Sequence, residues 1–501
     1  MCETKPTSRC SRYDQIFYLG LALYCLVFWG FRLFLSPTLL MDEAEQYWDA
    51  QRLAWGYSFQ APLYTWITWS VSQVTGLNLP TLATLKYLFI FWFYAGYYRL
   101  TRFWWEGEDR IIITTSLLLM PLFIFNFTWD LTHTILLGAL TVTALNFYFS
   151  LLKTGSIKDY SGLGIILALG ILTKYNYLFF GMSLMMAALT DATGRKRLFS
   201  SKIVWTLAPL ILIPLPHLYW LILNDFPPFR SALEIAKVTP ESKLALEEIV
   251  EMFFKYIGPV LLYIFFYFVL FRGCIQKKLI SADNELHPPL ERYVLWILTI
   301  PLVMFYLIQA DNFSSRWVIP TYLSVPLLLF TRVDFQKFYQ TRRKYYLYGI
   351  LLLVMVGILY YRMSQVYQPE GWVSWRPGKK KRGEVTRLNT PYPALVKRLQ
   401  DEKLINDPSG AARIVTDRHQ MASNLLLHIK TIPIYPESEY TQSHGTDTVL
   451  LLWTTRAEVV DIPLSTLDYS TVFRSGWIDL PYRHTRNSKP IRFGYRLVQV
   501  R

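Results

Sequence analysis

Run after run of apolar residues, separated by short loops rich in Lys and Arg, leaves this chain few ways to fold. A helix needs about 20 apolar residues to cross a bilayer, and in hydrocarbon every backbone polar group must be satisfied inside the protein. Eleven candidate spans are legible: 15–35, 83–100, 111–127, 132–152, 160–173, 176–190, 203–223, 250–271, 292–309, 317–331 and 345–363. The fifth and sixth are short and share the break Thr173-Lys174-Tyr175-Asn176. Segment 63–76 is short and Trp-rich, and reads as a helix lying in the interface. With 52% hydrophobic and 17% aromatic residues among 501, the chain is too apolar for an ordinary soluble protein. The expected fold class is a polytopic α-helical membrane protein of about 11 transmembrane helices. Lys5, Arg9 and Arg12 precede the first span, which lacks a small-residue cleavage site and is expected to be a retained signal anchor.

The formal net charge of +15 could reflect nucleic acid, but the bases sit between apolar spans, which the positive-inside rule explains. With the N-terminus cytoplasmic, the inner loops receive Arg99, Arg102, Arg110, Lys153, Lys158, Arg195, Lys196, Arg197 and Lys202, among others. The outer loops keep Arg52, Lys174, Arg230, Lys237, Lys243 and Arg316. The run Lys379 to Arg382 then falls outside, against the rule, where contact with anionic headgroups or solvent is its ordinary use. No nucleic-acid partner is expected. The cysteines, Cys2, Cys10, Cys25 and Cys274, are spaced neither for a metal site nor for a disulfide framework.

Beyond Ser364 the composition changes. Helix-like "YPALVKRLQDEKL", strand-like "ARIVTD", helix-like "RHQMASNLLLHI" and strand-like "TIPIY" and "DTVLLLW" predict a small C-terminal α/β extracytoplasmic domain. The expected division is a membrane domain over 1–363, with its first outer loop at about 36–82, and a periplasmic domain over 364–501.

The first outer loop opens with "MDEAEQYWDAQRLAWGY". Asp42, Glu45 and Asp49 recur at helical spacing and share a face. Trp48, Trp55, Tyr57, Tyr64, Trp66 and Trp69 form an aromatic belt around them. "FTWDLTH" brings Asp130 to the same side, "LTKYN" brings Lys174, and "QADNFSSRW" brings Asp311 and Arg316. Each has a plainer reading. Asp42 and Glu43 suit the first turn of any helix, and Asp130 suits an N-cap. Lys174 could snorkel, and Arg316 could anchor topology beside Trp317. Glu45 and Asp49 read as solvated, and His133 as packed.

In this order, "DEAEQYWDAQRLAWGYSFQAPLYTWI", "TWDLTHTILL", "LGILTKYN" and "RWVIPTYLSVPLLL" resemble the GT-C membrane glycosyltransferases, on the branch of protein O-mannosyltransferases and lipid A aminoarabinose transferases. The resemblance covers roughly residues 15 to 335, and "RIVTDRHQMASNLLLHI" resembles the tail of bacterial members. It implies a GT-C-like fold in a bacterial inner membrane. It also implies inverting transfer of a sugar from a polyprenyl-phosphate carrier to a hydroxyl of an envelope lipid, glycan or protein. Asp42 would be the catalytic base, Asp130 a second catalytic carboxylate, and Lys174 and Arg316 the cations facing the phosphate. Glu43, Gln60 and Trp317 would bind substrate. Where relatives often carry an acidic residue or His, then Lys or Pro, then Pro, this chain has Gln60-Ala61-Pro62, which shifts phosphate binding onto Lys174, Arg316 or Lys86. Metal use is left open: a divalent ion could assist, and no cofactor is certain. The rival reading is a transporter or flippase of lipid-linked sugars, which would place its ionisable groups near the midplane of broken helices.

Overall fold

The computed structural model describes residues 12–58, 60–229, 246–276, 284–308, 314–368, 387–440, 447–455, 469–485 and 489–500. Two compact units emerge. One joins Met1–Trp29, Leu53–Ile67 and Thr84–Met355, and the other joins Gly30–Arg52, Thr68–Ala83 and Val356–Arg501.

The first unit is helical. Among the described residues of the whole chain, six helices are long and apolar enough to cross a membrane: Arg12–Leu35, His133–Thr154, Ser201–Leu223, Ile249–Phe271, His287–Leu307 and Arg343–Tyr367. His133–Thr154 is the most deeply packed, with 78% of its apolar window buried against 17–39% in the others. Its apolar surface runs all round, as suits a helix enclosed by other helices. The expected span at 111–127 is not one helix. It breaks into α-helix Gly107–Ser116, a 3-10 turn Leu117–Leu119 and a π turn Leu122–Asn126. Pro121 contributes, since it has no N–H to carry the ladder through. Helices Ile157–Ile171 and Tyr177–Thr190, of 15 and 14 residues, flank the Lys174 break. At 1.5 Å per residue, each rises only about 21–23 Å, short of the ~30 Å hydrocarbon core.

Close packing has local causes. A Cβ on Gly164 would lie 2.3 Å from the Thr206 carbonyl oxygen, so glycine is what lets Ile157–Ile171 meet Val204–Leu212. Pro301 cannot donate to the Ile297 carbonyl, and the Thr321 hydroxyl donates to it instead at 3.0 Å. A freed carbonyl in an apolar bundle is thereby satisfied.

The second unit is built on a five-stranded mixed sheet: β1 Arg413–Thr416, β2 Ile434–Pro436, β3 Thr448–Thr455, β4 Tyr469–Leu480 and β5 Ile491–Val500. Their order is β2-β1-β3-β5-β4. β1 runs parallel to β2 and β3, while β5 is antiparallel to β3 and β4. Alternation along the strands divides the apolar residues between two faces. Ile414, Leu450, Leu452, Phe493 and Leu497 share one cluster with Leu395 and Leu399 of helix Tyr392–Asp401 and Met421 and Leu425 of helix His419–Leu426. Val415, Val449, Leu451, Trp453 and Val498 form another.

This unit also contains the first acidic helix, Met41–Asp49. Leu39, Ala44 and Tyr47 cluster with Leu79 and Leu82, and Leu426 and Leu427 pack against them. Polar ties fix the register. Asn424 accepts from the Leu39 N–H at 2.8 Å, and the Ser423 hydroxyl donates to the Ala44 carbonyl at 2.6 Å.

Candidate active site

The Met41–Asp49 helix starts where it does because of one buried ion pair. Arg32, in the last turn of helix Arg12–Leu35, donates to Glu43 through Nε at 2.8 Å and through a terminal nitrogen at 2.5 Å. The two side chains are 2% and 3% exposed. Arg32 also donates to the Ser36 and Thr38 carbonyls, and Glu43 accepts from the Leu40 N–H at 2.9 Å. The pair therefore closes the turn between two helices and caps the second. Glu43, expected to bind substrate, has its carboxylate committed to this clamp. Asp42, its neighbour, is half-exposed on the first turn.

Asp49, expected to be solvated, is 4% exposed. Trp48 on the same helix lies edge-on to His419 and Tyr435, and Glu439 bonds His419 at 3.2 Å and Arg52 at 3.3 Å. The second unit thus covers a position that loop sequence alone leaves open. Burial first, then the nearby Glu439 charge, pushes the Asp49 carboxyl up to about 8, with Arg52 opposing. Burial also raises Glu439, but bonds from His419 and Trp48 outweigh it and hold this carboxyl below its ordinary value.

The other expected residues fall in the first unit and gather around the Lys174 break. Thr173 and Lys174 return to the Gly170 carbonyl, so the chain turns tightly between two helices. Lys174 Nζ donates to the Thr134 hydroxyl at 3.1 Å, and His133 Nδ1 lies 3.2 Å from the Thr173 carbonyl. The break is thereby pinned to the start of His133–Thr154, just beyond Asp130. Asp130 itself is half-buried. Lys86, buried in helix Leu79–Thr101, donates to the carbonyl of Trp129, the residue before Asp130. The Leu63 N–H donates to the Leu172 carbonyl at 2.9 Å, which brings the stretch after half-buried Gln60 to the same corner.

Asn176 donates to the Trp317 carbonyl, and the Trp317 ring stacks on Phe305 at 5.8 Å. Trp317 thus holds the corner through its backbone and ring. Arg316, beside it, is exposed. Asp311 and the run Lys379 to Arg382 lie outside the described residues. Tyr175 and His217 share a 2.8 Å bond, and His217 reaches the Trp55 carbonyl at 2.8 Å.

Sequence reading misses Arg32, Thr134, Asn176 and His217. Arg32 leaves one trace, a lone cation in the final turn of an apolar helix shortly before an acidic motif. Among the described residues, no three His, Cys, Asp or Glu side chains group to hold a metal ion.

A family model described as dolichyl-phosphate-mannose-protein mannosyltransferase matches residues 59–220. The lipopolysaccharide core galacturonosyltransferase RgtB of Rhizobium johnstonii is 27% identical over 504 residues, covering 95% of this chain and 96% of RgtB. RgtA of the same organism, also a lipopolysaccharide core galacturonosyltransferase, is 26% identical over 331 residues, covering 65% of this chain and 66% of RgtA. Among solved structures, ArnT from Cupriavidus metallidurans bound to undecaprenyl phosphate matches at a TM-score of 0.59 and 11% identity, covering 97% of this chain and 98% of ArnT. The fold is helical and GT-C-like, similar to that of ArnT.

Proposed function

We propose that this protein transfers a sugar from a polyprenyl-phosphate carrier to a hydroxyl of an envelope glycolipid, at the outer face of the bacterial inner membrane and with inversion. The observation that carries the reading is the corner around the Lys174 break. Two lysines, Lys174 and Lys86, are drawn to helix ends on either side of the Asp130 loop, which is where a lipid phosphate at the membrane boundary needs cations.

The chemistry divides among the residues. As the acceptor hydroxyl attacks the anomeric carbon, Asp42 takes its proton. The sugar–phosphate bond breaks, and Lys174, helped by Lys86 and Arg316, stabilises the charge growing on the departing lipid phosphate. Asp130 orients the acceptor. Gln60 contacts substrate, and Trp317 holds the Lys174 corner. Glu43 is a positioning residue, which aims Asp42 through Arg32. The lipopolysaccharide core is the acceptor class favoured by likeness to RgtB along nearly the whole chain, and a galacturonosyl group is the sugar that likeness favours.

The test is mass spectrometry of envelope glycolipids from three strains: deleted, rescued with wild type, and rescued with Asp42→Asn at equal expression. A sugar-sized mass should vanish in the deletion, return with wild type and stay missing with Asp42→Asn. Full return with Asp42→Asn would overturn the assignment of the base. Lipid-linked sugar that still depended on this protein to cross the membrane would then favour a flippase.

A further inference from the structure

Helices Ile157–Ile171 and Tyr177–Thr190 both lead away from the Lys174 break. Beside them, against His133–Thr154 and Val204–Leu212, lies an apolar cavity of about 280 Å³. Leu163, Leu167, Met182, Met185, Leu207 and Leu210 supply much of its wall. Met182, Met185 and Leu207 are exposed, so the cavity opens sideways on a lipid-facing surface. Its lining runs along Tyr177–Thr190 from Tyr177 to Ala188, about 16 Å of helix rise and roughly half of the ~30 Å hydrocarbon core. It is one leaflet deep.

The end far from Lys174 is basic. Arg197 lines the cavity and is held in place, donating to the Leu152 carbonyl at 3.1 Å while its own carbonyl accepts from the Tyr160 hydroxyl at 2.7 Å. Around it Lys153, Lys158, Arg195, Lys196 and Lys202 are exposed, and Phe199 is 76% exposed beside them. The acids in this region are occupied locally: Asp159 accepts from Thr154 and Ser156, and Asp191 from the Gly194 N–H.

The geometry points to a binding site for one anionic glycerophospholipid, with an acyl chain in the cavity and its phosphate among Arg195, Lys196 and Lys202. A basic pocket between membrane helices is the pattern that recognises anionic headgroups. A zwitterionic lipid brings no net charge to this rim, and a long prenyl chain overruns a cavity one leaflet deep. The site is separate from the donor phosphate, whose candidate cation lies at the opposite end of the same helices.

Gly181 makes the site testable. It lines the cavity, and a Cβ added there would meet nothing within 4 Å, so Gly181→Leu fills space without pushing backbone. The full-length protein in detergent is presented with phosphatidylglycerol, phosphatidylcholine or undecaprenyl phosphate, and retained lipid is read by native mass spectrometry. Phosphatidylglycerol should be retained in preference to phosphatidylcholine. Gly181→Leu should abolish that retention at unchanged melting temperature. Arg195→Gln with Lys196→Gln, both on the surface, should weaken retention on the order of tenfold. Should Gly181→Leu fail to fold, the surface variant decides alone. Equal retention of phosphatidylcholine would reduce the site to an apolar hole. Undecaprenyl phosphate lost from Gly181→Leu in place of phosphatidylglycerol would assign the cavity to the donor. Phosphatidylglycerol kept at wild-type level by both variants would remove the site.

Discussion

Arg32 and Glu43 form the tightest constraint at the scale of single residues. Breaking a buried pair leaves one charge desolvated and alone, so Arg32→Ala should cost about 3–5 kcal/mol. Thermal melting of the purified protein would measure this, and a shift within error would mean that Glu43 finds water or another partner. Asp49 gives a pH signature. A carboxyl raised to about 8 in the fold, against about 4 unfolded, binds its proton more tightly when folded. Its stabilisation is complete below pH ~4 and lost as pH rises through about 8. Asp49→Asn should therefore flatten the decline in melting temperature between about pH 5 and 9, and parallel slopes in variant and wild type would contradict the burial. For catalysis, Lys174→Gln should lower turnover by about 100- to 1,000-fold, as loss of one preorganised charge partner does. A change confined to KM would make Lys174 a binding residue only.

At the scale of elements, short broken helices position the residues of the proposed site. Tyr177–Thr190 and Ile157–Ile171 are each too short to span comfortably, and their shared break carries Lys174 to a helix end. Gly164 holds this pair against Val204–Leu212. Gly164→Ala puts a Cβ into the Thr206 carbonyl and should destabilise by about 1–3 kcal/mol. Unchanged melting would mean that the neighbouring helix shifts freely. The strands were readable because Val449 to Trp453 is an uninterrupted apolar run, the pattern of a strand covered on both faces. The break of 111–127 was less readable: its apolar residues continue through a 3-10 and a π turn, and hydropathy does not register a change in hydrogen-bond spacing.

On the whole-molecule scale, the acidic helix of the first loop is packed into the unit that carries the C-terminal sheet. Asn424 and Ser423 hold it across more than 370 residues of sequence. Truncation after Ser364 would strip Leu39, Ala44 and Tyr47 of Leu426 and Leu427. The expected outcome is rapid proteolysis within residues 36–58 in the truncated protein and protection in the full chain. Equal cleavage in both would mean that the remaining contacts suffice.

Composition and the spacing of apolar runs determined that this chain is a helical membrane protein, because a bilayer admits few backbone solutions. The motif around Asp42, with Lys174 at a break, carried the resemblance to the GT-C membrane glycosyltransferases, and the likeness of fold to ArnT agrees with it. Tertiary structure decided which of those charges are available. It took Glu43 into a clamp with Arg32, buried Asp49 beneath distant residues, and turned Lys86 toward the Asp130 loop. Each of these depends on partners that adjacency in sequence does not encode, since burial and pairing are properties of the packed chain.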